Sequence, residues 1–253
     1  MAEGKMYIDA YDGGFHNKEM QETIDRLYKS GLYEDKSTLC IIPTRGVIPA
    51  RVVQSWWNLM TPMNGKFFRI VQTGKEVGIA YSEAIEMILA HPDLSTWKYI
   101  LTLEEDNIVP PDALLKLIEG IEGGVNGKKY DALGALYYTK GYGGMPMIYG
   151  NPLEMPRNFI PQLPVANQIV DCNGLGMGCT LFRTEMFKDQ RIKRPLFQTI
   201  QSYTPGIGAS AFTQDLEFFH KACEYGYKFG CDCRTLVGHY DYEGKFGPAD
   251  MVW

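Results

Sequence analysis

The chain lacks any apolar run approaching the ~20 residues that cross a bilayer. Its opening, MAEGKMYIDAYDGG, lacks the basic stretch and apolar core of a signal peptide. We therefore expect a cytoplasmic protein with no membrane partner. There is no internal repeat and no low-complexity tract. Six cysteines at irregular spacing in 253 residues do not make a disulfide framework, which agrees with a reducing compartment. Positive charge is not in excess: the net charge is −5, so the chain as a whole is not a basic nucleic-acid binder, although a local basic groove is compatible with that total. A dinucleotide fingerprint is missing too. Gly174-x-Gly176-x-Gly178 has the wrong spacing and no helix opens directly after it. These glycines point to close approach of backbone to a ligand or to a bulged strand.

What remains is an ordinary globular composition, 45% hydrophobic and 22% charged, in a chain long enough to bury a sizeable core. The spacing predicts strands over Thr38–Ile42, Phe67–Gln72, Tyr99–Leu103 and Ala132–Tyr138, with helices between them over Pro49–Met60, Val77–Ala90 and Pro111–Ile121. That β-α-β-α-β-α order argues for an α/β fold, a mostly parallel sheet with helices on both faces. The second half is less regular. Asp171–Phe182 is strand-like, Gln214–Tyr225 is a helix stopped by Gly226, and the last strands run from Tyr227 to His239, a mixed or antiparallel extension of the same sheet. Residues 1–37 form an extension before a single domain spanning 38–253, with a short helix over Glu19–Lys29. Residues 140–165, dense in Gly and Pro, are a flap or acceptor-side loop, or else an ordered meander covering the sheet.

The richest stretch is WKYILTLEEDNIVPPDALLKL, residues 97–117. An apolar strand runs straight into Glu104, Glu105 and Asp106 at the end where open α/β sheets bind ligands. Alternation along a strand would turn Glu104 and Asp106 to one side and Glu105 to the other. Converging carboxylates need a positive partner, and a hard divalent cation is the natural one. The plain alternative is a solvated acidic strand end. Asp215, at a helix start, reads as a general base or as a carboxylate favoured by the macrodipole. The same macrodipole would lower its pKa unless burial or another carboxylate offset it. His239 ends a strand and matters only if the fold brings it to Asp106, where a carboxylate and imidazole would suit Mn²⁺ as well as Mg²⁺. Arg45, in Pro43-Thr44-Arg45-Gly46, meets a diphosphate through its fork or an acidic neighbour. Cys231-x-Cys233 reads as buried thiols rather than part of a zinc site, and Trp56-Trp57 as packing residues.

The order of these pieces resembles the GT-A glycosyltransferases, especially the broad family 2 group, over about residues 38–241. CIIPTRG resembles the first nucleotide-side strand and LEEDNIVPPDALLKL the DxD segment. NGLGMGCTLFRTEMF resembles the acceptor-side glycine segment, and TQDLEFFHKACEYGYKFGCDCRTLVGH the stretch from the catalytic acid to Gly-His. The resemblance implies that Glu104 and Asp106 are the outer acids of DxD, with Asp106 and His239 as metal ligands and Asp215 as the base. It puts the nucleotide at Thr44 and Arg45. Pro43, Thr73, Glu105 and Gly176 complete the expected donor-binding set. Glu104 stands where Asp is usual, Gln214 where Glu is usual, and Tyr81-Ser82 where relatives have Arg-Asn. The implied function is metal-dependent transfer of a sugar from a nucleoside diphosphate sugar to a hydroxyl acceptor, with inversion. The acceptor stays open among a glycan, a small molecule, a protein and a modified base in DNA. Two rivals are a sugar nucleotidyltransferase and a non-catalytic sugar- or nucleotide-binding module. PTRG falls short of the Gly-rich basic loop expected of the first.

Overall fold

In a computed structural model the chain divides into two compact units, Met1–Lys36 and Ser37–Trp253. The residues described are 35–63, 65–141, 143–204 and 208–241, with the backbone of 251–252. The helix expected over Glu19–Lys29 lies outside them.

β1 (Thr38–Thr44) is buried along its whole length, as a strand covered on both faces must be. α1 (Ala50–Trp57), β2 (Phe67–Thr73) and α2 (Val77–Ala90) follow, then β3 (Tyr99–Leu103), the two-residue β4 (Asn107–Ile108) and α3 (Ala113–Ile121). β2 and β3 flank β1 in parallel register, with Thr38 opposite Phe67 and Tyr99. β5 (Ala132–Leu136) ends the regular first half. α2 keeps the predicted bounds because its pattern is long and apolar and the Glu76 carboxylate accepts from the Ile79 N–H at its start.

The remaining strands are β6 (Ile148–Tyr149), β7 (Ile169–Cys172), β8 (Gly174–Leu175), β9 (Cys179–Arg183), β10 (Ile200–Thr204), β11 (Gly208–Phe212), β12 (Phe229–Leu236), β13 (Gly238–Tyr240) and β14 (Met251–Val252). Helices α4 (Thr184–Lys188) and α5 (Gln214–Cys223) lie among them. The central sheet runs β2-β1-β3-β9-β5-β12-β7. All but β9 and β7 point one way, so it is a mostly parallel sheet with β9 inserted antiparallel between β3 and β5. The stretch expected as one strand over Asp171–Phe182 is three short ones. β7 ends the sheet at one edge, and the glycines after it carry the chain inward to β9.

The strand period of two sorts the core. Leu39, Ile41, Ile100 and Phe182 face α2 and α5, packing with Tyr81, Ile85, Phe218 and Phe219. Cys40, Ile42, Leu101 and Leu181 face α1 and α3, packing with Val52, Trp56, Leu114 and Leu117. Each fully buried side chain of this size contributes about 1.5–3 kcal/mol, so both faces of the sheet are well anchored. Trp56 is in this core while Trp57 is exposed. Gly226 takes φ +80° just past α5, the left-handed stop that an L side chain resists. Cys231 and Cys233 are buried thiols. Among the described residues no helix is long and apolar enough to cross a membrane.

Candidate active site

Parallel β1 and β3 end at the same edge of the sheet, so Pro43-Thr44-Arg45 faces the residues after Leu103 across a cleft. Pro43, Thr44, Arg45, Lys75, Val77, Glu104, Glu105 and Asp106 line a cavity of about 320 Å³ there, at the small end of the range for ligand clefts. The acidic triplet does not continue the strand. β3 stops at Leu103, and the Asn107 N–H donates to the Glu104 carbonyl at 3.0 Å to close a turn. The pleat therefore does not set the directions of the three carboxylates, as strand alternation would have it. Each has its own partner.

Glu105 is buried and turned toward β1. It accepts from the Thr44 hydroxyl at 2.6 Å, from the Arg45 N–H at 2.8 Å and from Arg45 Nε. Of the two readings of Arg45, pairing with an acidic neighbour is the contact present. Glu104 turns toward α2, where the Tyr81 hydroxyl donates to it at 3.5 Å. Burial first, then the carboxylates of Asp106 and Asp215, push the Glu104 carboxyl up to about 8 against the pull of Tyr81 and Lys140.

Asp106 faces the far side, toward β13. The short pairing of β4 with β13 sets His239 opposite Asn107, and the Tyr240 N–H donates to the Asp106 carbonyl at 2.7 Å. His239 Nε2 stands 3.5 Å from Asp106 Oδ2. Burial raises the Asp106 carboxyl, but His239 and Lys140 together outweigh it and hold the group at about 2.

The imidazole is oriented. His239 Nδ1 lies 2.8 Å from the Tyr138 carbonyl, which can only accept, so Nδ1 carries the hydrogen. Nε2 then donates an N–H to Asp106 when the ring is protonated, the form that lowers the carboxyl, and offers a lone pair to a metal when the ring is neutral, the arrangement in which a backbone carbonyl fixes a metal-binding histidine. This orientation fits a divalent ion. Among the described residues no cluster of three His, Cys, Asp or Glu forms, so such an ion would complete its shell with phosphate oxygens and water. Mg²⁺ and Mn²⁺ both accept that mixture.

Asp215 lies in the first turn of α5 and is buried. Burial raises its carboxyl and outweighs the opposing hydrogen bonds from Thr213 and the Leu216 N–H, the latter at 2.9 Å. Burial is thus the dominant influence among these, and it shifts the group in the direction a general base needs. It is close enough to Glu104 to raise that carboxyl in turn.

The fold thus gathers Pro43, Thr44, Arg45, Glu104, Glu105, Asp106, Asp215 and His239 around one sheet edge. Thr73 pairs in register with Thr44 but is not among the cavity's lining residues. Gly176 serves packing. A Cβ there would fall 2.0 Å from the Tyr137 hydroxyl, which instead accepts from the Gly178 N–H at 2.9 Å. Sequence reasoning missed Lys140, whose ammonium lies 2.5 Å from Asp106 Oδ2. It also missed Tyr137, whose ring meets His239 edge-on. Tyr81 was legible only as a departure from the Arg-Asn pattern. Lys140 carries one faint signal, a lone cation following a strand end in a Gly-rich stretch.

This sheet order is that of a GT-A-like, Rossmann-like fold. No protein-family model and no curated protein sequence matches the chain. Solved structures do. A197 from STIV superposes with a TM-score of 0.56 at 18% identity, over 85% of this chain and 93% of that one. GalNAc-T7, solved with UDP, GalNAc and Mn²⁺, superposes with a TM-score of 0.51 at 11% identity, over 80% of this chain and 43% of that one. At such identities the likeness is one of fold.

Proposed function

We propose that this protein is a glycosyltransferase that moves a sugar from a nucleoside diphosphate sugar to a hydroxyl acceptor. The observation that carries the reading is the meeting of Asp106 and an oriented His239 beside the cavity at the ends of β1 and β3. That GalNAc-T7 was solved with a nucleotide, a sugar and Mn²⁺ supports it. Asp106 and His239 would hold Mn²⁺ or Mg²⁺, which supplies positive charge against the diphosphate as it leaves.

The chain's own residues divide the remaining work. Pro43, Thr44 and Arg45 border the nucleotide, with Thr73 beside Thr44 on the neighbouring strand, and Glu104 and Glu105 line the cavity. Asp215 takes the proton of the acceptor hydroxyl while its oxygen bonds to the anomeric carbon. The bond from that carbon to the diphosphate oxygen breaks and its electron pair leaves with the diphosphate, giving inversion. Residues 140–165 cover the donor and exclude water, which would otherwise compete with the acceptor. This segment has internal ties, including the Gly150 N–H to the Ile160 carbonyl at 2.8 Å and the Gln162 N–H to the Ile148 carbonyl at 2.9 Å.

A thermal-shift screen of nucleoside diphosphates and their sugars, with and without Mn²⁺, tests donor binding, since a ligand stabilises by mass action. One nucleotide series should raise the melting temperature, and more so with Mn²⁺. With that donor, Asp215→Asn should keep the shift but lower transfer ~10²–10⁴-fold. Undiminished transfer in Asp215→Asn would remove it as the base. No stabilisation by any nucleotide would sink the reading.

A further inference from the structure

Lys140 stands on the ground that the reading above gives to a divalent ion. Its ammonium and His239 Nε2 converge on the same oxygen, Asp106 Oδ2, at 2.5 and 3.5 Å. The Lys140 and Asp106 side chains are only 17% and 15% exposed, so this is no loose surface contact. A divalent ion on that oxygen would stand within a few ångströms of the ammonium, and two cations so placed repel strongly where water is scarce.

The backbone around Lys140 is held while its side chain has four rotatable bonds. The Thr139 N–H donates to the Met145 carbonyl at 2.9 Å, and the Met145 N–H returns to Thr139 Oγ1 at 2.9 Å. Tyr138 bridges to Pro146, and the Tyr138 carbonyl is the group that orients His239. One short segment therefore fixes the histidine and also delivers a competing cation to the same carboxylate.

We propose that Lys140 is the resident counter-ion of the cation position. Its ammonium and a divalent ion occupy Asp106 in mutual exclusion, and once displaced the ammonium engages a diphosphate oxygen in the adjoining cavity. The second half rests on the glycosyltransferase reading. The first half concerns Asp106 alone and stands or falls without a donor. The arrangement neutralises Asp106 in the resting protein and favours an ion that arrives with a diphosphate able to receive the displaced lysine.

The test begins with Mn²⁺ alone and the full chain, following the free aquo-ion signal by electron paramagnetic resonance. Lys140→Met should bind Mn²⁺ about tenfold tighter or better than wild type, the scale of losing one charge-assisted contact. Asp106→Asn should lose binding. Equal or weaker binding by Lys140→Met overturns the competition.

Amine acetylation of the unaltered protein, read peptide by peptide, gives a second measurement that needs no variant. Saturating Mn²⁺ should raise the reactivity of Lys140 and leave exposed lysines such as Lys66 unchanged. Adding inorganic pyrophosphate should lower it again. No rise with Mn²⁺ overturns the competition, and a rise that pyrophosphate does not reverse overturns the transfer to phosphate. If both responses appear while no nucleotide sugar stabilises the protein, the competition holds and the glycosyltransferase reading fails.

Discussion

Glu105 and Asp106 are neighbours in the chain, yet they serve two different regions of the cleft. Glu105 points back into the sheet. Thr44 and Arg45 give it three hydrogen bonds, and all three donors come from the end of β1. Asp106 points out toward β13, and its partners are two side chains from distant segments, Lys140 and His239. The first carboxylate joins two strands of the frame. The second pairs with an ammonium and an imidazole, the position at which we propose that a divalent ion exchanges with Lys140. The difference teaches that an acidic triplet is not one site: the turn after β3 splits it into a structural member and a chemical one, and only the local partners tell which is which.

The largest effect that would sharpen this contrast is in function. Asp106→Asn should weaken Mn²⁺-dependent donor binding by ~10²-fold or more, because it removes the charge that grips the ion. Its melting temperature should fall by less than in the Glu105 variant, because the four-bond Lys140 side chain can swing toward solvent once its counter-charge is gone. Calorimetric titration with the stabilising nucleotide, with and without Mn²⁺, reads the first effect, and thermal unfolding the second. Undiminished Mn²⁺-dependent binding in Asp106→Asn would break the division between the two carboxylates.

Glu105→Gln should do the reverse and cost about 3 kcal/mol of stability. A glutamine has one acceptor oxygen for three donors, and its amide nitrogen would face one of them. For a domain of this size that amounts to a fall of roughly 6–12 °C in melting temperature. A Glu105→Gln protein as stable as wild type would mean that Glu105 is no part of the frame.

The same contrast marks what could be read from the residues. The frame was legible because strands and helices announce themselves by period. Short apolar runs gave β1, β2 and β3, and the long apolar pattern gave α2 to the residue. Asp106 and His239 were legible only through the order of segments. Their meeting depends on β4 and β13, which are two and three residues long and too short to have a period. The directions of Glu104, Glu105 and Asp106 could not be read from strand alternation, because β3 ends one residue before the triplet. Lys140 had no signal of this kind, since it reaches Asp106 from a loop 34 positions away that no pattern aligns with it.

The smallest expected effect concerns Glu104, which stands between the two regions and belongs to neither. Its carboxyl titrates near 8 in the folded protein against an ordinary value of 4.5, with burial as the main cause and the carboxylates of Asp106 and Asp215 adding to it. A folded-state pKa above the unfolded one means that the folded protein holds a proton the unfolded chain has released. The associated stability is intact below about pH 4.5 and is lost as pH rises to about 8. The full shift sets an upper bound of about 5 kcal/mol. Glu104 is only partly buried where it lines the cavity, so solvent screening should reduce this to about 1–2 kcal/mol. Glu104→Gln cannot ionise and should escape the loss. Without metal, the two proteins should melt together near pH 4.5, and the variant should gain a few degrees by pH 8, with no further gain above it. Melting curves that run parallel across that window would show that the Glu104 carboxyl titrates as an ordinary one, and that the cavity between the two regions is wetter than its geometry indicates.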